Sequence, residues 1–274
     1  MLRPISMFLF VTLAAACSSS SDGSSGASGT TAAFDLESDF TSQDHFYEFP
    51  YPSDLRLSPT GGPYGSSFPN PGAVGLVDGL KSIASDRAGF PVIPTAYFAF
   101  SAPLVVRSDA DTIAADVSSP ILLIDVDPTS SENGKLFPTV AITLPVDKYV
   151  PENVLAVAPR PGIVLVAKRT YAFVVRRELN DAANTPLGVP AALATLESGG
   201  TPSSAHGAAA KTSFDPLWAT LKKLNVEAKD VAAASVFTTG DVVADMADLA
   251  TKLAQKYPAT ISDLTINPNG GTTN

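Results

Sequence analysis

The chain has 274 residues, 45% hydrophobic and 16% charged, with 23 prolines, one cysteine and two histidines. Its apolar fraction excludes wholesale disorder, and a lone cysteine excludes an intrachain disulfide framework. One cysteine and two histidines leave little for a zinc site. The balance of 18 basic against 27 acidic residues excludes a nucleic-acid surface, which needs cations to displace counterions from phosphate.

Residues 1–17 read MLRPISMFLFVTLAAAC. Arg3 is a minimal basic start, and residues 5–13 form an apolar run too short to span a bilayer. Ala14, Ala15 and Ala16 then precede Cys17. The pattern resembles a bacterial lipoprotein signal, in which the cysteine is lipidated and becomes the new N-terminus. It departs from that pattern in one place: Ala14 stands where leucine is usual, and Leu13 lies one residue further back. An ordinary signal peptide cut near Ala-x-Ala, leaving a free thiol, is the alternative. Residues 18–33 follow as a Ser/Gly-rich tether, which has nothing to bury and behaves as a flexible coil with a reach on the order of 20 Å. Without the leader the chain carries 17 basic and 27 acidic residues, a net charge of −10. Lipid rather than electrostatic attraction would therefore hold it to a membrane.

The body is expected over residues 34–257. Residues 34–89 are rich in Pro, Gly and aromatics and predict an extended wrapping segment, with at most a helical turn or two over 76–85. Phe46, Phe49, Tyr51 and Leu55 are expected against the core. Strand signals follow at residues 95–101, 120–126, 137–144, 154–158, 163–166 and 171–177. Short strands separated by Pro, Gly and Asp predict an antiparallel sandwich. Residues 197–213 read as a polar loop. Asp215 and Pro216 then suit the cap and first position of a helix bearing Phe214, Leu217, Trp218, Leu221 and Leu224 on one face. Residues 231–238 read as a further strand. Residues 241–257 read as a second amphipathic helix with Val242, Met246, Leu249 and Leu253 in a stripe, and Pro258 opens a linker over 258–274. The expected class is mainly β: an antiparallel sandwich with two C-terminal amphipathic helices.

Chemistry is sparse. No G-x-S-x-G, phosphate-binding glycine loop or G-x-G-x-x-G occurs. A Ser-His-acid triad would need His45 or His206. His206 falls in the expected loop, and His45 lies beside Asp44 and aromatics without a nucleophile in its sequence neighbourhood. Asp125 and Asp127, two apart, begin the oxygen-rich run DVDPTSSENG and are the candidate calcium ligands. The EF-hand order is not met, however, and turn carboxylates are the bland reading. Asp109 and Asp111 form a looser pair. Phe46, Tyr47, Phe49 and Tyr51 are either core or a carbohydrate- or lipid-contacting platform, and exposure separates the two.

Five stretches together resemble the N-terminal domain of bacterial virulence-factor lipases and related extracellular lipoproteins: FPYPSDLRL (49–57), GFPVIPTAYFAFSAPL (89–104), ILLIDVDP (121–128), RTYAFVVRRELNDAANTPLG (169–188) and AAASVFTTGD (232–241). The second is similar to the start of a bacterial Ig-like module. The match runs from about residue 44 to residue 253. It implies an Ig-like, β-rich, non-catalytic domain that precedes an α/β-hydrolase. No hydrolase half lies within these residues, so no catalytic residue is carried over. The expectation is a non-catalytic cell-envelope lipoprotein, anchored through Cys17 at the outer membrane or cell surface. It would act as a spacer and contact lipid or polysaccharide, with no cofactor unless calcium. The alternative is the leading piece of a secreted lipase or esterase whose hydrolase domain lies beyond residue 274.

Overall fold

The computed structural model describes residues 29–258 apart from Asp109. The leader with Cys17, most of the tether, the expected linker from residue 259 onward and the Asp109 half of the Asp109/Asp111 pair lie outside the described residues. Eight strands form two antiparallel sheets. The first has the order β1 (Ala96–Ala99), β6 (Val154–Pro159), β5 (Thr139–Thr143), β2 (Thr112–Ile113). The second has the order β4 (Leu136–Phe137), β3 (Ile121–Asp125), β7 (Thr170–Arg176), β8 (Val231–Thr238). The mainly-β class is thus what the chain adopts.

One core lies between the sheets, where Phe98, Leu155 and Val157 of the first meet Leu123, Phe173 and Phe237 of the second. A second core covers the opposite face of the second sheet. There Leu122, Ile124, Val174 and Val236 meet helix α2 (Ala191–Glu197), helix α3 (Gly207–Lys223) and the N-terminal residues Phe34, Leu36, Phe40 and Phe49. The second sheet is therefore buried on both faces. This explains why β3, β7 and β8 are nearly continuous apolar runs instead of alternating ones: every position meets a packed layer.

The N-terminal strap follows the expected course as 3-10 turns at Gln43–Glu48, Asp54–Arg56 and Gly65–Ser67. Phe46 and Phe49 are buried, and Tyr51 and Leu55 pack against the cores. The strap then forms a longer helix than the sequence predicts, α1 (Gly75–Ser85), about three turns. Asn70 organises its start: Oδ1 accepts from Val74 N at 3.0 Å, and Nδ2 donates to Asp78 Oδ1 at 2.7 Å. None of its residues is buried. Asn70 ties the start of the helix to the strap, and Ser85 Oγ, accepting from Gly65 N at 2.9 Å, ties its end.

Three local expectations are corrected. Residues 163–166 are not a strand; they form a turn-like connection, with Leu165 N donating to Val92 O at 2.9 Å. The apolar run 137–144 is cut at Pro138, which has no N–H for a ladder, and the chain passes there from the second sheet to the first. The polar stretch 197–213 is a loop only over 198–206: α2 ends at Glu197 and α3 begins at Gly207 with His206 as its cap residue. Asp215 is consequently not a cap. It lies mid-helix, and Lys211 Nζ donates to it at 2.8 Å. Pro216 lies inside α3, where a missing N–H costs about 3 kcal/mol. Complete burial of Phe214, Leu217 and Leu221 offsets that cost. The last helix, α4 (Ala244–Lys256), matches the expected element, and its apolar stripe is exposed: Met246 66%, Leu249 48% and Leu253 48%. Among the described residues no helix is long and apolar enough to cross a membrane.

Candidate functional site

Of the five stretches that stand out in the sequence, the second contributes β1 to the first sheet and the third, fourth and fifth contribute β3, β7 and β8 to the second, and polar residues of several of them make tertiary hydrogen bonds. Asp54, from the first stretch, accepts from the Thr238 backbone N–H and hydroxyl, both at 2.7 Å. Burial pushes its carboxyl pKa up, opposed by those two bonds. Ser235 donates its hydroxyl to the Pro52 carbonyl. Gly89, from the second stretch, has φ +73°, and a Cβ there would lie 2.6 Å from Gly240 N, so only glycine lets Phe90 pair with Thr239. Asp181, from the fourth stretch, accepts from Ala183 N and Thr185 N at 2.9 Å and from the Thr30 hydroxyl at 2.9 Å. These residues build and close the fold.

Asp125 and Asp127 part company. Asp125, wholly buried, accepts from Asp127 N at 3.1 Å, the Ser130 hydroxyl at 2.7 Å and Arg169 Nη1 at 3.2 Å. Arg169 also donates to Glu132 at 2.8 Å. A guanidinium thus stands between the carboxylates of this loop. Asp127 turns to its own loop and accepts from Thr129 N at 2.8 Å and the Thr129 hydroxyl at 2.7 Å. Among the described residues no group of three or more His, Cys, Asp and Glu side chains could hold a metal ion.

Neither histidine is paired with a nucleophile. His45 Nδ1 meets Glu48 Oε2 at 2.8 Å, and Glu48 also accepts from the Ser38 hydroxyl. The acid is thus Glu48, three residues on in a 3-10 turn, and not the adjacent Asp44. Hydrogen bonding to Glu48 holds the His45 pKa above its ordinary value. A triad would need a hydroxyl on the other ring nitrogen, and among the described residues none is hydrogen-bonded there. His206 is stacked on Phe40 with ring centroids 4.4 Å apart, and its backbone N–H donates to Leu36 O at 3.1 Å. It is an ordered packing residue where the sequence predicts a loop.

What the body does present is an open trough of about 460 Å³ where the strap meets the loop before β6. Tyr47 and Tyr149 line it with Pro69, Pro71, Asp44 and Asp147. Of the aromatics noted in the sequence, Phe46 and Phe49 turn into the core and Tyr47 turns outward. The separation follows from the 3-10 turn, which places adjacent residues on different faces. Phe46 supports Tyr47 edge-on at 5.0 Å. Burial, followed by the proximity of Tyr97 and Asp147, pushes the Tyr47 phenol pKa up to about 12, so the phenol remains a hydrogen-bond donor at neutral pH. Asp147 Oδ1 accepts from Tyr149 N at 2.7 Å and Val150 N at 2.9 Å, which sets the Tyr149 loop. Lys148 Nζ lies 4.8 Å from the Tyr149 ring centroid. Tyr97 lies on the outer face of the first sheet, where with Val140, Ile142 and Leu144 it lines a smaller depression of about 280 Å³. The sequence gives no sign of Tyr149 as a site residue, because about 100 residues separate it from Tyr47 and no motif surrounds it.

The chain matches no protein-family model, no curated protein and no solved structure.

Proposed function

We propose that the chain is a non-catalytic module of the bacterial cell envelope: an Ig-like sandwich, lipid-anchored through Cys17 at the outer membrane or cell surface, that presents the Tyr47/Tyr149 trough to a substrate or partner. The observation that carries this reading is the position of the only cysteine, directly after an apolar leader and before a Ser/Gly tether. Two antiparallel four-stranded sheets sharing one core support the Ig-like part. The non-catalytic part rests on the sequence, in which no G-x-S-x-G occurs. Labelling growing cells with radioactive palmitate tests the anchor: label is expected on the chain and is lost in Cys17→Ser. An unlabelled chain overturns it. Purified chain is expected to turn over no p-nitrophenyl ester. Robust hydrolysis abolished by a point substitution within these residues overturns the non-catalytic reading.

A second reading, the leading piece of a secreted lipase or esterase, is favoured by one feature. The apolar stripe of α4 is exposed along Met246, Leu249 and Leu253, as expected of a helix awaiting a further domain. Reading the DNA beyond the Asn274 codon decides between the two. An in-frame continuation containing G-x-S-x-G supports the second reading, and an immediate stop removes it.

A further inference from the structure

We propose that the Tyr47/Tyr149 trough binds a neutral oligosaccharide, with the tyrosine rings as stacking platforms and Asp44, Asp147 and Gln43 as hydroxyl partners. The inference rests on the reading of this trough as the contact surface of the module. It does not depend on the lipid anchor.

Four features of the lining select this ligand. First, two half-exposed tyrosines and three prolines give flat apolar surfaces in an open trough, which suit the C–H faces of a pyranose better than an acyl chain, whose burial needs an enclosed apolar cleft. Second, the polar atoms are only partly used. The Asp44 carboxylate and Asp147 Oδ2 carry no intramolecular hydrogen bond among the described residues. Gln43 Oε1 accepts from Asn70 N at 3.0 Å, which leaves its amide N–H groups free and fixes their direction. Third, two carboxylates against the single ammonium of Lys148 disfavour phosphate- or uronate-bearing ligands by like-charge repulsion. Fourth, carboxylates only accept. A proline-rich peptide has few N–H groups to offer them, whereas sugar hydroxyls donate to Asp44 and Asp147 and accept from Gln43 and the phenols. The Asp147 turn and the Phe46 edge contact hold the lining in place before any ligand arrives, which lowers the ordering cost of binding.

The test is calorimetric titration of the purified chain with maltohexaose, cellohexaose and the neutral hexamer of N-acetylglucosamine, with a decaproline peptide in parallel. At least one sugar is expected to bind with a Kd between micromolar and millimolar. Tyr149→Ala is expected to weaken it about tenfold or more. Asp44→Asn is expected to weaken it several-fold, and both variants keep the wild-type melting temperature. Three results overturn the inference: no heat from any of the sugars at about 5 mM, sugar binding unaffected by Tyr149→Ala, or binding of the peptide in place of the sugars. None of these bears on palmitate labelling or ester hydrolysis, so failure here is distinct from failure of the module reading.

Discussion

Arg56 offers the sharpest energetic test of how the strap is held. It is 1% exposed, and no carboxylate forms an ion pair with it among the described residues. Its Nη2 donates to the carbonyls of Phe46 and Phe49, both at 2.7 Å, and its charge lies 5.1 Å from the ring centroids of Phe40 and Phe46. Nη1 has no partner. Burial pushes the guanidinium pKa down to about 10, which leaves it charged at neutral pH. Each bond from a charged donor contributes about 1.5–3 kcal/mol, so the pair contributes about 3–6 kcal/mol. Burying the cation takes part of this back. Arg56→Met keeps a packed stem, removes the charge and leaves the Phe46 and Phe49 carbonyls, and the Pro50 carbonyl that Nε reaches at 3.4 Å, without their donor, for a net loss of about 2–4 kcal/mol. For a body of this size that lowers Tm by about 5–15 °C. Urea unfolding followed by circular dichroism, with thermal melts alongside, measures it. An Arg56→Met variant as stable as the parent, or more stable, would show that charge burial outweighs the carbonyl bonds and would refute the account of Arg56 as the strap's fastening.

The Asp125 loop and the acid limb of stability give two further tests. Asp125→Asn weakens the bond to Arg169 and is expected to cost about 1–3 kcal/mol. Millimolar calcium is expected to leave the wild-type melting temperature unchanged, and a calcium-dependent rise would reinstate Asp125 and Asp127 as ligands. On acidification, backbone bonding from Thr185 and then the Thr30 hydroxyl hold the Asp181 pKa below 3.8, and bonding to His45 holds the Glu48 pKa below 4.5. Stability from these carboxylates is complete above those unfolded values and is lost as pH falls through the lower folded ones. Asp54, raised by burial, acts in the opposite sense above 3.8. A melting temperature that falls steeply below about pH 4, and less steeply in Asp181→Asn, is the expected profile. A flat profile contradicts it.

The mainly-β class, most strands and the apolar face of α3 can be read in the sequence because each depends on local periodicity and β-branched or aromatic runs. The boundaries that fail are those that packing decides. Pro216 looks like a helix start, yet α3 begins nine residues earlier, where Ala208, Ala209, Ala210 and Lys211 favour a helix that the flanking Gly and Ser disguise as a loop, and the burial of Ala210 and Phe214 holds it on the second sheet. Residues 163–166 look like a strand, yet Leu165 N bonds the non-strand carbonyl of Val92 instead of a sheet edge. The candidate ligand residues Asp125 and Asp127 are legible as a carboxylate pair, but the charge that meets Asp125 comes from Arg169, 44 residues away.

By itself the sequence determined what is local: the position of most strands, from their apolar and β-branched runs, and the apolar face of α3. Only the tertiary structure decided which aromatics are core and which are surface, because Phe46 and Tyr47 are neighbours in the chain and diverge at a 3-10 turn. It likewise decided that Tyr47 and Tyr149 line one trough. That requires the strap to pass beside the loop before β6, and long-range packing of this kind leaves no periodic trace in the chain.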